Sequence, residues 1–73
     1  MTKIFETTKE KAISAAKEIL RTEYGVKRLS YTHVKDSRMQ CDCGESYAVE
    51  VTAKIKGNYY DVTVGVCERC ANN

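Results

Sequence analysis

The stretch YAVEVTAKIKGNYYDVTVGV, from Tyr47 to Val66, decides the fold. Between Tyr47 and Lys56 apolar and polar residues alternate: Tyr47, Val49, Val51, Ala53 and Ile55 share one face, and Ala48, Glu50, Thr52, Lys54 and Lys56 the other. A period of two is the mark of a strand with one buried face. Gly57-Asn58 reads as a two-residue hairpin turn, after which Tyr59 to Val66 returns with Tyr60, Val62, Val64 and Val66 in phase. If Lys56 faces Tyr59, then Ile55 meets Tyr60, Ala53 meets Val62, Val51 meets Val64 and Val49 meets Val66. Lys54 then lies opposite Asp61 and Thr52 opposite Thr63, both favourable cross-strand pairs. A slip of one residue would exchange the faces.

Upstream of this hairpin the chain predicts a helix over Thr8 to Tyr24. Thr7 with Glu10 three residues on fits a capping box, and Gly25 ends the segment. Ala12, Ile13, Ala16, Ile19, Leu20 and Tyr24 fall within one apolar arc at helical spacing, while Glu10, Lys11, Ser14, Lys17, Glu18 and Arg21 occupy the polar face. A further strand is expected over Val26 to Val34, with Leu29, Tyr31 and His33 on one face and Arg28, Ser30 and Thr32 on the other. The segment from Lys35 to Ser46 then reads as a long connection. Proline is absent and no segment repeats, so residues 1–73 are expected to form a single domain. The predicted class is α+β, with one N-terminal helix packed on a three-stranded antiparallel sheet.

Four cysteines carry the chemistry. They stand as Cys41-Asp42-Cys43-Gly44 and Cys67-Glu68-Arg69-Cys70, two close pairs of the kind that one tetrahedral metal ion requires. In the predicted register, Cys41 and Cys43 enter the first strand of the hairpin and Cys67 and Cys70 leave the second. All four sulfurs therefore gather at its open end, opposite the Gly57-Asn58 turn. A domain of 73 residues rarely retains more than roughly 3 to 5 kcal/mol of stability from its core alone. A structural zinc site supplies an apparent ~10 to 16 kcal/mol near neutral pH, so a metal here would decide folding. The N-terminus has no apolar stretch of signal-peptide length, and no run of 18 or more apolar residues occurs. The expected compartment is cytoplasmic, where thiols stay reduced and such cysteines read as metal ligands before they read as disulfides, a Cys67/Cys70 redox pair or inert thiols. One Zn²⁺ per chain is the expected cofactor, and iron fits the same thiolate cage.

Cys-x-Cys-Gly and Cys-x-x-Cys resemble the two knuckles of a zinc ribbon, whose members hold one zinc at the end of an antiparallel hairpin. The likeness spans Cys41 to Cys70, and the first pair has one intervening residue where the usual pattern has two. It implies metal binding and says little of the partner, since zinc ribbons serve transcription, translation and protein contacts alike. The order of a helix followed by three antiparallel strands is similar to the helix-on-sheet pattern of cystatin-like domains.

His33, the one histidine, is expected to be an ordinary strand residue, because four thiolates already complete a tetrahedron. No catalytic residue is expected. A four-cysteine site leaves no position open for water, no Gly-rich phosphate loop is present, and Asp42, Glu45 and Glu68 read as solubilising charges on exposed turns. Residues 1–39 carry nine basic and five acidic side chains, and residues 40–73 three and five. Four thiolates and one Zn²⁺ add a further −2 to the second half, leaving the loaded chain near neutral and without the bulk charge of a nucleic-acid binder. The expected role is therefore a non-enzymatic protein-interaction or regulatory adaptor. DNA or RNA binding through the basic helix and first strand is the alternative, with Tyr59 as the one tyrosine expected on the open sheet face. The last strand, Tyr59 to Val66, is a candidate sheet edge for a partner strand or a second copy, unless the segment around Ile4 and Phe5 covers it.

Overall fold

The computed structural model describes residues 4–29 and 31–72 of the chain. Six elements follow one another: β1 (Phe5–Glu6), α1 (Lys9–Tyr24), β2 (Thr32–Cys41), β3 (Gly44–Ile55), β4 (Asn58–Val66) and α2 (Glu68–Ala71). The α+β class holds, but the sheet has four strands rather than three and is mixed rather than wholly antiparallel. Its order is β1-β4-β3-β2, with β1 parallel to β4 and the other pairs antiparallel.

α1 is capped by Thr8, whose hydroxyl accepts a bond from the Lys11 N–H at 3.2 Å. The expected cap at Thr7 thus moves by one residue; either threonine can supply the oxygen, and the one three residues before Lys11 does so. Gly25 closes the helix at φ 65, as expected. Ala12, Ala16 and Leu20 are fully buried against Val49, Val51, Ala53 and Val64, with Ile55 nearly so. Spacing of four residues keeps the helical trio in one stripe, and small alanines let the helix lie close to the sheet. Tyr24 closes the last turn against Tyr60, their ring centroids 4.2 Å apart.

The hairpin from β3 to β4 is present, with its register shifted by two residues. Ile55 pairs with Asn58, Ala53 with Tyr60, Val51 with Val62 and Val49 with Val64. The turn is Lys56-Gly57 rather than Gly57-Asn58, and both residues have positive φ, 52 and 86. This is the pattern of a type I′ turn, where glycine meets no penalty in the left-handed region and the strand twist is matched. A shift of two leaves every side chain on its expected face, so alternation could not distinguish the two registers. The polar pairs change: Thr52 now faces Asp61 and donates to its carboxylate, and Lys54 faces Tyr59.

The expected first strand over Val26 to Val34 is displaced. β2 begins at Thr32 and runs through the segment read as a long connection, reaching Cys41. Val34, in phase with Thr32, packs on the core, whereas His33 points to the exposed face and lies opposite Thr52. Lys35–Cys41 carries little apolar alternation because its helix-side residues Asp36, Arg38 and Gln40 are exposed, while Ser37 and Met39 on the other side are only half-buried. There Asp36 instead receives a 2.6 Å bond from the Tyr47 hydroxyl and lies 3.7 Å from the Lys9 ammonium.

A second, smaller packing site lies on the sheet face away from α1. Phe5 sits beside Gly65 in the parallel pair, and a Cβ on that buried glycine would overlap the Phe5 ring and come within 3.3 Å of the Met39 sulfur. Ala48, the partner of Gly65 in the ladder, is also fully buried. Phe5 and Glu6 thereby occupy the β4 edge at Gly65 and Val66, with the Gly65 N–H donating to Ile4 O at 3.0 Å. The N-terminal segment covers that end of the edge.

Candidate metal centre

Both cysteine pairs are placed by tight local geometry. Cys41 is the last residue of β2 and pairs with Gly44, so Asp42 and Cys43 form the two-residue turn of the β2–β3 hairpin. Gly44 takes φ 111, which returns the chain directly into β3. Cys67 follows β4 and stands at the N-cap of the short α2, which carries Cys70 one turn on. The backbone around Cys67 is fixed from two sides: its N–H donates to Glu6 O at 3.1 Å, and its carbonyl accepts from the Ala71 N–H at 2.9 Å. β1 and α2 thus hold the second pair against the end of the sheet.

The four sulfurs lie within 4.8 Å of one another. The distances Cys41–Cys67, Cys43–Cys70 and Cys43–Cys67 are each 3.9 Å. A tetrahedron of sulfurs about 2.3 Å from a central zinc has edges of about 3.8 Å. The cage therefore has the dimensions of a tetrahedral thiolate site, and this group can hold a metal ion. All four residues expected as ligands are brought together. His33 is not among them; it lies several ladder positions from Cys41 along β2. Asp42, Glu45 and Glu68 are exposed, and Glu45 is engaged by the Arg38 guanidinium at 2.7 Å.

Surroundings divide the thiols. The Cys70 backbone amide, followed by the Cys70 thiol, stabilises the Cys67 thiolate and lowers its pKa from 9.0 to about 6. Burial pushes Cys70 up to about 12 and also raises Cys43. One sulfur is thus poised as an anion and others keep their protons until a cation displaces them. Ser46 approaches the Cys41 sulfur at 3.0 Å, an outer partner that orients the donor. Sequence spacing did not mark Ser46, because its place beside Cys41 follows from a hairpin where a long connection was expected.

At the opposite end of the exposed sheet face a second group of residues meets. The Lys54 N–H donates to Tyr31 O at 3.3 Å, continuing the β2–β3 ladder by one residue. Tyr31, Lys54 and Tyr59 therefore form one row across three adjacent segments. The tyrosine rings meet edge to face at 6.3 Å, and the Lys54 ammonium lies 5.8 Å from the Tyr59 ring centre. Tyr31 is 49% exposed and Tyr59 63%, so this face carries two accessible tyrosines where one was expected. Among the described residues no helix is long and apolar enough to cross a membrane. Comparison with protein-family models, with curated proteins and with solved structures finds no match for this chain.

Proposed function

We propose that the chain is a small non-enzymatic binding module stapled by one structural zinc ion, and that it acts in the cytoplasm as a protein-interaction or regulatory adaptor. The observation that carries the metal reading is the set of 3.9 Å sulfur–sulfur edges among Cys41, Cys43, Cys67 and Cys70. Four thiolates suit zinc, and iron is accommodated by the same donors. Such a cage fills the coordination shell and leaves no position for a substrate, which supports a binding role over catalysis. The adaptor reading is supported by the open outer edge of β2 and by the near-zero net charge expected once zinc is bound.

Metal analysis of protein purified under reducing conditions tests the staple directly. One zinc per chain is expected, with loss of the cooperative melt on chelation and in Cys43→Ser or Cys67→Ser. Absence of stoichiometric metal together with a stable quadruple Ser variant would defeat it.

The Tyr31–Lys54–Tyr59 row favours a second reading, binding of single-stranded nucleic acid. Two accessible rings beside an ammonium form a surface on which bases can stack. Binding of a mixed oligonucleotide pool that persists near ~0.15 M salt and is lost in a Tyr31→Ala/Tyr59→Ala variant would place this reading first.

A further inference from the structure

We infer that the partner of the β2 edge is a second copy of this chain, paired antiparallel through β2 in a single register with Ser37 on the two-fold axis. The inference rests on the protein-interaction reading above and names its partner. β2 is the outer strand of the sheet, and among the described residues no further strand pairs with it. In the ladder that ends at Cys41 and Gly44, backbone groups of His33, Lys35, Ser37 and Met39 point to β3. Those of Val34, Asp36 and Arg38 point outward, a row of donors and acceptors able to template another strand.

Two-fold symmetry about an axis through the sheet keeps both helices on the same side, so only residues of the same face can meet. The charges then select among the registers this allows. Placing Asp36, Lys35 or Arg38 on the axis sets that charge opposite its own copy. Placing Val34 or Met39 there avoids the repulsion but leaves only a short overlap at one end of β2. With Ser37 on the axis, the strands overlap from His33 to Cys41. Asp36 then faces Arg38 of the second copy, and by symmetry Arg38 faces its Asp36. The favourable pair forms twice, while neighbouring registers are penalised by like charges.

The existing partners of these side chains all lie at the exposed surface and leave room for the exchange. Asp36 accepts from the Tyr47 hydroxyl at 2.6 Å and pairs with Lys9 at 3.7 Å, and Arg38 pairs with Glu45 at 2.7 Å, but the Asp36 and Arg38 side chains are 76% and 78% exposed. Ion pairs so exposed to water hold little energy and re-form readily. Asp36, Arg38, Glu45 and Tyr47 also line a shallow depression of about 470 Å³ on the helix side of this edge. It gives the incoming arginine room beside the Asp36 carboxylate.

Sedimentation of the metal-loaded full chain across a concentration series tests the pairing. A reversible dimer is expected for the parent protein, monomer for Arg38→Asp and for Asp36→Arg, and dimer again when both substitutions are combined. Recovery in the double variant separates register-specific pairing from a folding defect, because each single variant is also required to keep its metal content and circular dichroism. Should a single variant misfold, Arg38→Pro removes one outward N–H without touching a bond to β3, and it too should give a folded monomer. A parent chain that stays monomeric up to roughly 1 mM, or a dimer indifferent to all of these substitutions, overturns the inference. Either result leaves the adaptor reading standing if a purified heterologous partner still binds and that binding is lost in Arg38→Pro. If no such partner binds either, both readings fall together.

Discussion

Gly65 shows how a single residue joins the smaller packing site to the candidate metal centre. Its missing side chain admits the Phe5 ring, and so the docking of β1 beside Cys67 depends on it. Gly65→Ala should cost about 1 to 3 kcal/mol by overpacking, read as a lower melting temperature. Combining it with Phe5→Ala should recover part of the loss, since the clashing ring is gone. On the opposite face Val51 is fully buried against α1. Val51→Asp should abolish the cooperative melt, because an unpaired carboxylate would lie in the core. Thr52→Ala should be tolerated, removing only one bond to Asp61 on the open face. Equal effects at the two positions would contradict the assigned faces. These faces were legible in the sequence, because alternation survives a shift by two. The role of Gly65 was not, since the only sign of it was one small residue in an apolar strand, and its partner lies at the other end of the chain.

At the scale of elements, the predicted structure fails where a strand is polar and exposed on the helix side and only half-buried on the other. α1 and the β3–β4 pair have buried faces, and their periodicity made them readable. In β2 between Lys35 and Cys41 the helix-side residues Asp36, Arg38 and Gln40 are exposed and polar, and Ser37 and Met39 on the other side are only half-buried, so the run carries no apolar alternation to read. The same gap turned the Cys41-Asp42-Cys43-Gly44 hairpin into an expected long connection, although the cysteine spacing alone was enough to identify the four candidate ligands. The other hairpin turn offers a direct check. Gly57→Ala places a Cβ at φ 86 and should lower stability by about 1 to 2 kcal/mol. Lys56→Asn should raise the melting temperature, because asparagine tolerates the φ of 52 found there. If instead Asn58→Gly proves the stabilising change and Gly57→Ala is neutral, the turn lies one residue further on.

For the molecule as a whole, the four sulfurs set the response to acid. Cys67 is held at about 6, below its ordinary 9.0. A depressed pKa contributes stability above the ordinary value and loses it as pH falls through the depressed one. Cys43 and Cys70, raised by burial, carry protons that an incoming cation must displace. Metal uptake should therefore release protons, and the loaded protein should lose its ion and its cooperative melt on acidification, because protons compete with the cation for all four sulfurs. Calorimetry in buffers of different ionisation enthalpy would measure the released protons, and a melting temperature unchanged down to pH 4 or so would contradict the thiolate cage. The two hairpins also bear on the order of assembly. Both are closed by turns of two residues, whereas Phe5 meets Gly65 only after most of the chain has been brought around. Contacts between near neighbours form early and distant ones late. The β2–β4 meander should therefore collapse first and bring both knuckles together, letting the ion be captured before β1 docks. In a stopped-flow experiment with Co²⁺, the thiolate absorption band should rise ahead of the burial of Phe5.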